Sequence, residues 1–340
     1  MSVTINEVAK EAGVSITTVS RVLNNNYPVK KETRERIEKA IEKLNYIPNI
    51  MARGLITKKT SIIGVVVPGI TNLFFPTIVE AIEENIRRKG YSIYLSNSQG
   101  DAVQEREAVE NIISRQVDGI IIIDPRYENL RSSFYDDINK IVPVVIINGS
   151  PEGTKCNFVS YDEEVGTREA FEYLLSLGHK KVAFVRGHKS FSYDIKEKIY
   201  RNIIKENGFD YCEVIDAGRG NSIEVVDNTK NIVESFLMRK EKPTAIFACN
   251  DLMAVGVLNA CSKLKLKVPE DISVIGCDNT LIAHISNPKL TSIDIDMNEI
   301  GIRSAEELAN IIENRERSRS KIIMDTKLVI RESCCRAKES

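Results

Sequence analysis

The sequence predicts an α + α/β protein, with a small all-helical head followed by a larger body in which strands and helices alternate. Three observations carry this. Within the first 45 residues, apolar side chains recur at i, i+3, i+4 and i+7, the period of one-sided helices. From Ile62 onward, short apolar runs of strand length alternate with helical stretches, and the alternation comes in two series. Between the two patterns, Thr57-Lys58-Lys59-Thr60-Ser61 forms a polar linker.

In the head, Thr4 followed three residues later by Glu7 is a capping box, and Ile5, Val8, Ala9 and Ala12 line one helix face. Gly13 ends that helix. Ser15 caps the next one, which buries Val19, Val22 and Leu23 and turns Ile16, Thr17, Ser20 and Arg21 outward. Two short helices joined by a tight turn are a helix-turn-helix, whose second helix enters the major groove with its first residues against base edges. Arg21 can bond guanine bidentately, Thr17 can donate or accept, and Ile16 offers an apolar surface to a thymine methyl. After a turn at Asn24-Asn25-Asn26-Tyr27-Pro28, a third helix from Glu32 to Asn45 buries Ile37, Ala40, Ile41 and Leu44. The following stretch, Tyr46 to Ile56, contains Pro48 and Gly54 and is shorter than the roughly 12 residues an isolated helix needs. It is expected to fold only when something holds it.

In the body, the first series places strands at Ile62 to Val67, Tyr91 to Ser96, Gly119 to Ile123 and Pro143 to Ile147, with helices at Phe75 to Lys89 and Ala102 to Arg115. The second places strands at Val182 to Val185, Tyr211 to Ile215, Thr244 to Ala248 and Ile272 to Ile275. Its helices are expected at Glu163 to Leu177, Ile195 to Asn207, Ile223 to Arg239 and Asp251 to Leu264. A helix at Asn298 to Glu313 and a strand at Lys327 to Ile330 close the chain. Each series implies one doubly wound lobe.

The 340 residues, 42% of them hydrophobic, are enough for two or three domains. No stretch approaches the roughly 20 apolar residues of a membrane span, and no signal-peptide pattern opens the chain, so a cytoplasmic protein is expected. The net charge of −1 conceals an asymmetry: residues 1–60 hold 11 Lys/Arg and 6 Asp/Glu, whereas the remainder holds 36 and 42. A basic head on an acidic body suits a module that meets phosphate. The seven cysteines lack Cys-x-x-Cys spacing, and the three histidines (His179, His188 and His284) lack metal-ligand spacing, so no metal or cofactor is expected. Most of the cysteines read as small buried residues; Cys334 and Cys335 fall in a polar tail. Gly218-Arg219-Gly220 continues to Ile223 rather than glycine, there is no Walker loop, and no nucleophile and base pair is visible. An enzyme is therefore not expected.

At this point the residues resemble the lactose and galactose repressor family of bacterial transcription regulators. The resemblance is carried in the head by Val3-Thr4-Ile5, Val8-Ala9, Ala12-Gly13-Val14-Ser15, Thr18 to Asn24, Thr33-Arg34, Tyr46-Ile47-Pro48-Asn49 and Ala52-Arg53-Gly54-Leu55. In the body it is carried by stretches such as Asn250 to Gly256 and Val268 to Asp278.

The resemblance implies a periplasmic-binding-protein-like effector body and a ligand-responsive regulator, most readily a repressor, that binds a pseudo-palindromic operator as a homodimer. It implies a helix-turn-helix domain at 1–48 and a hinge helix with linker at 49–60. One effector lobe would span 61–160 with about 293–324, the other 161–292 with about 325–333. Ile16, Thr17 and Arg21 would then read bases, with Ser15, Ser20 and Asn24 in support. Asn49, Ala52, Arg53 and Leu55 would enter the minor groove, Leu55 as a wedge that unstacks a base step. Phe74, Asn148, Asn250 and Asp278 would meet the effector between the lobes.

Three departures from the family pattern matter. Lys30 stands where a serine cap is usual. Lys196 and Ile199 replace the arginine and glycine of the sugar-binding motif, and no aromatic platform stands at Gly220 to Ile223. With Arg186, His188 and Lys189 near Lys196, the effector is expected to be a sugar, a sugar phosphate or another anionic metabolite. Family members that answer to a phosphorylated protein carry basic residues along the helix at 301–313. Here Arg303 is followed by Glu306 and Glu307, which favours a small molecule. A cytoplasmic binding protein without operator function is the alternative reading.

Overall fold

The computed structural model describes residues 3–24, 27–47, 59–149, 154–188, 190–314 and 319–338. The chain divides into two compact units, Met1–Thr60 and Ser61–Ser340.

The first unit holds helices Ile5–Ala12, Ile16–Asn24 and Lys31–Leu44. The expected capping box is formed: Thr4 donates its backbone N–H to Glu7 Oε2 at 2.7 Å, and Glu7 N–H donates to Thr4 Oγ1 at 3.4 Å. Gly13 leaves the first helix at φ +64°, a left-handed conformation that glycine adopts without strain. Thr18 N–H donates to Ser15 Oγ at 3.2 Å, which caps the second helix. Lys30, by contrast, makes no side-chain cap to the third helix. Val8, Ala9, Ala12, Val19, Val22, Ile37 and Ala40 form one small core; Leu23 packs at its margin and is only half-buried. The hinge residues Asn49, Ala52, Arg53 and Leu55 lie outside the described residues.

The second unit has two six-stranded sheets. Strands β1 Ile62–Val67, β2 Ser92–Asn97, β3 Gly119–Ile123, β4 Val144–Ile147 and β5 Asn157–Tyr161 precede β6 Val182–Arg186, β7 Glu213–Asp216, β8 Ala245–Ala248 and β9 Ser273–Asp278. They are followed by β10 Thr291–Asp294, β11 Lys321–Met324 and β12 Lys327–Val329. The sheet orders are β11-β5-β4-β3-β1-β2 and β12-β10-β9-β8-β6-β7. Every pairing is parallel except β10 with β12. Continuous apolar runs such as Gly119–Ile123 and Ala245–Ala248 are fully buried because helices cover both faces of a parallel sheet.

The chain passes between the sheets three times, at 161–163, 294–297 and 324–327. These crossings are bonded together. Asp162 N–H donates to the Met324 carbonyl at 2.8 Å, and Thr326 Oγ1 accepts from Gly166 N–H while donating to the Asp162 carbonyl, each at 2.8 Å.

Several elements differ from the sequence expectation. Strand β10 was hidden because three of its four residues are polar, yet Thr291 and Ser292 are fully buried. Their hydroxyls are satisfied: Thr291 Oγ1 accepts Arg331 N–H at 3.0 Å and Ser292 Oγ donates to Asp251 Oδ1 at 2.7 Å. Ile293 and Asp294, expected to begin the return to the first lobe, pair instead with Cys277 and Asp278 in the second sheet. Tyr161, placed at the start of the second lobe, ends β5 in the first sheet. Strands β5 and β11 and the short helices Tyr127–Leu130, Phe134–Ile141 and Leu281–Ile285 were also unforeseen. The helix expected from Ile195 already starts at Phe191.

The polar tail is docked rather than free. Ser333 is fully buried between the Val274 carbonyl at 2.6 Å and Thr291 N–H at 2.8 Å. The Cys335 carbonyl lies 2.9 Å from His179 Nε2, and Thr244 Oγ1 lies 2.9 Å from Nδ1. Burial lowers the His179 pKa, so this ring is a neutral structural joint.

Candidate nucleic-acid interface and effector cleft

The second helix of the head presents a short polar face. Ile16 is 48% exposed, and Thr17 and Arg21 are exposed beside it. Ser15 is also exposed, but its hydroxyl is engaged with Thr18 Oγ1 at 2.9 Å; Ser20 is half-buried. The helix runs to Asn24, whose side chain lies outside the described residues. One contributor was missed from the sequence. The Arg21 guanidinium lies 5.1 Å from the centroid of the Tyr27 ring, which is itself 63% exposed. An aromatic exposed in a turn was the available signal. A guanidinium over an aromatic ring gains cation–π attraction, while its five N–H donors are what an acceptor pair would meet.

In the body, the carboxyl ends of strands from both sheets converge on one cleft. The first lobe contributes Asn72, Phe74, Phe75, Asp124, Asn148 and Tyr161; Tyr193, Lys196, Asn221, Asn250 and Asp278 face them from the second. This is where doubly wound sheets bind ligands. Phe74 is buried and packs edge-on against Phe75 at 5.0 Å. Asn148, at φ +63°, donates to Asp124 Oδ1 at 3.2 Å. Asp278, at φ +102°, is buried at the end of β9. Its loop is fixed by Asp251, whose Oδ2 accepts from Thr280 N–H at 2.7 Å and Thr280 Oγ1 at 2.8 Å. Burial pushes the Asp251 carboxyl up to about 6, and pushes Asp278 and Asp124 above the ordinary carboxylate range as well.

Asn250 is more fully committed to the protein than expected. Its Oδ1 caps the helix Asp251–Lys263 through Met253 N–H at 2.9 Å, and its Nδ2 donates to the Gly220 carbonyl at 2.9 Å and Tyr193 Oη at 3.2 Å. Asp124, Tyr193 and Asn221 were missed, although Asp124 and Asn221 follow strand ends as Asn250 does. Asn221 Nδ2 donates across the cleft to Asp124 Oδ2 at 3.1 Å, and Ile223 N–H to Thr71 Oγ1 at 3.2 Å. The space left between the lobes is about 20 Å³, room for about one water.

The described members of the basic cluster are each engaged with an acidic side chain rather than standing free. Lys196 is 2% exposed, with Nζ 2.7 Å from Glu163 Oε2 and 2.6 Å from Ser192 Oγ. Arg186 pairs with Glu197 and, at 2.6 Å, with Asp194. His188 meets Asp216 at 2.7 Å; Lys189 lies outside the described residues. On the closing helix, Arg303 is held by Glu299 at 2.7 Å and Glu306 at 3.3 Å.

A head that exposes a reading helix, joined in one chain to a body whose two lobes close on a polar cleft, defines an effector-responsive DNA-binding regulator. Comparisons with known proteins agree. Residues 4–49 match the family described as bacterial regulatory proteins, lacI family, and residues 171–334 match a periplasmic binding protein-like domain. Catabolite control protein A of Priestia megaterium is 37% identical over 304 residues, 88% of this chain and 90% of that protein. The Lac repressor dimer bound to operator and the anti-inducer ONPF superimposes with a TM-score of 0.85 at 28% identity, covering 98% of this chain and all of that one. The transcriptional regulator CelR in complex with cellobiose gives a TM-score of 0.71 at 25% identity, covering 97% and 99%. The chain belongs to the lacI family of bacterial transcription regulators, and its relatives are regulators rather than enzymes. Among the described residues, no helix is long and apolar enough to cross a membrane.

Proposed function

We propose that this chain is a cytoplasmic repressor that binds a pseudo-palindromic operator as a homodimer, and that its effector is a small neutral polyhydroxylated compound of the sugar class. The observation that carries the effector class is the chemistry of the cleft. Asp124, Asp278, Asn148 and Asn221 supply carboxylate and amide groups suited to hydroxyls, while Lys196, the one cation among the described lining residues, is already paired. A structural neighbour, the transcriptional regulator CelR, is seen in complex with cellobiose, a neutral sugar. Ile16, Thr17 and Arg21 read the half-site in this proposal, supported by Ser15, Ser20 and Asn24; the Lac repressor, a structural neighbour, is itself seen as a dimer bound to operator. Asn49, Ala52, Arg53 and Leu55 act in the minor groove.

A cavity of about 20 Å³ is far below the roughly 300 Å³ of a small-molecule pocket, so the effector enters by rotating the lobes about the three crossings. To move the switch fully, it must favour one lobe arrangement by about 5.5 kcal/mol.

The test is selection from a randomised palindrome pool, followed by a thermal-shift screen of neutral sugars and of operator affinity with each hit. A selected palindrome whose affinity changes with one neutral sugar supports the proposal. Binding no tighter than to random DNA, or a response to anionic metabolites alone, would overturn it.

A further inference from the structure

Lys196 stands at the cleft wall, yet its charge is spent before any effector arrives. An ammonium has three donors. Here one is donated to Ser192 Oγ at 2.6 Å, while Nζ lies 2.7 Å from Glu163 Oε2 as an ion pair and 5.8 Å from the centroid of the Tyr161 ring. Burial works against the charge of Lys196, but its neighbours, Cys277 and Glu163 foremost, hold its pKa well above the ordinary value. Burial also pushes the Cys277 thiol far up, so it stays neutral and Glu163 is the charge that matters.

Glu163 is not part of the cleft wall. It is the first residue of the helix Glu163–Ser176, where the helix N-terminus favours an anion, and it is buried immediately after the Tyr161–Glu163 crossing. Neither of its oxygens accepts a hydrogen bond among the described residues, so its contact with Lys196 is an ion pair. The carboxylate is therefore committed to Lys196 alone.

We propose that Glu163 determines the charge selectivity of the effector site, by neutralising Lys196 from behind the cleft wall so that anionic ligands are refused. This rests on the neutral-sugar reading above and adds the residue that enforces it. Removing the Glu163 charge exposes an uncompensated ammonium to the cleft. Asp124 and Asp278 do not fully replace it, because burial already holds both carboxyls toward their protonated forms.

The experiment uses the full chain at fixed ionic strength and measures binding of inorganic phosphate, D-ribose 5-phosphate, D-ribose and cellobiose by calorimetry and thermal shift. The wild type is expected to bind neither phosphate compound. E163Q, which keeps the shape and removes the charge, is expected to bind ribose 5-phosphate at least tenfold more tightly than the wild type, and the gain should vanish in E163Q/K196M. Glu163→Ser repeats the measurement should E163Q prove unstable. The proposal is overturned if the wild type already binds either phosphate compound in the cleft, or if folded neutral variants gain nothing. A wild type indifferent to every neutral sugar, alongside an E163Q that gains phosphate binding, would sink the neutral-sugar reading and leave the role of Glu163 standing. The reverse pattern would do the opposite.

Discussion

The two ends of the regulatory path are built in opposite ways. In the head, the residues proposed to read bases are exposed, few, and close in sequence: Ile16, Thr17 and Arg21 lie within two turns of one helix, and Tyr27 stands beside Arg21 from outside it. In the body, the cleft residues are buried, come from positions as distant as Asn72 and Asp278, and are largely bonded to one another. A free polar face keeps its binding capacity for a partner that brings its own charge. A bonded cleft must exchange existing hydrogen bonds for new ones, so its net gain depends on how closely a ligand reproduces them.

This contrast yields its largest prediction at Arg21. Arg21→Ala removes a bidentate donor worth about 1–3 kcal/mol for each base pair read, and twice that for a symmetric dimer on two half-sites. Operator affinity should therefore fall by a factor of about 30 or more in fluorescence anisotropy, while the thermal unfolding of the body is unchanged. Loss of less than threefold would mean that Arg21 reads no base.

The same contrast explains what the sequence disclosed. The head was legible because its logic is local: Thr4 with Glu7, Gly13 and Ser15 lie within a dozen residues and each announces a helix end. The doubly wound body was legible from its apolar runs. The cleft was less so, since the partners of each residue are set by tertiary packing. Asn250, expected to meet the effector, lines the cleft and is also a helix cap that bonds Gly220 and Tyr193, partners no local pattern announced. Lys196 looked like one of a basic cluster, and nothing local marked Glu163, an ordinary helix-opening acid, as its partner. Strand β10 was missed because its buried hydroxyls are satisfied by Arg331 and Asp251, more than 35 residues away.

Asp251 gives the second prediction, a pH dependence of the body. Its folded pKa of about 6 lies above the ordinary carboxylate value of 3.8, so the folded state holds the proton more tightly than the unfolded chain. The stability this contributes is fully present below the unfolded value and is lost as pH rises through about 6. Two units correspond to about 3 kcal/mol. Glu105, Asp124 and Asp278 shift in the same direction, each chiefly through burial. His179, whose pKa burial lowers, works in the opposite sense as pH falls through its ordinary 6.5. With four carboxyls set against one imidazole, the urea midpoint of the wild type should be higher at pH 5 than at pH 7.5, followed by circular dichroism because the chain has no Trp. Asp251→Asn should flatten part of that slope; an unchanged slope would assign the dependence to the other carboxyls.

Tyr27 gives the smallest effect and the sharpest test of whether the head is as self-contained as it looks. Its ring lies 5.1 Å from the Arg21 guanidinium, an exposed cation–π contact worth about 0.5–1 kcal/mol. If that contact pre-orients the guanidinium, Tyr27→Ala should weaken operator binding by about two- to fivefold, and Tyr27→Phe, which keeps the ring, should restore most of the loss. The salt dependence should stay unchanged, because no phosphate contact is removed. A double cycle with Arg21→Ala then decides the cause. Once Arg21 is gone, the Tyr27 substitution should have no further effect, whereas an undiminished loss would place the ring against DNA itself and add it to the reading surface in its own right.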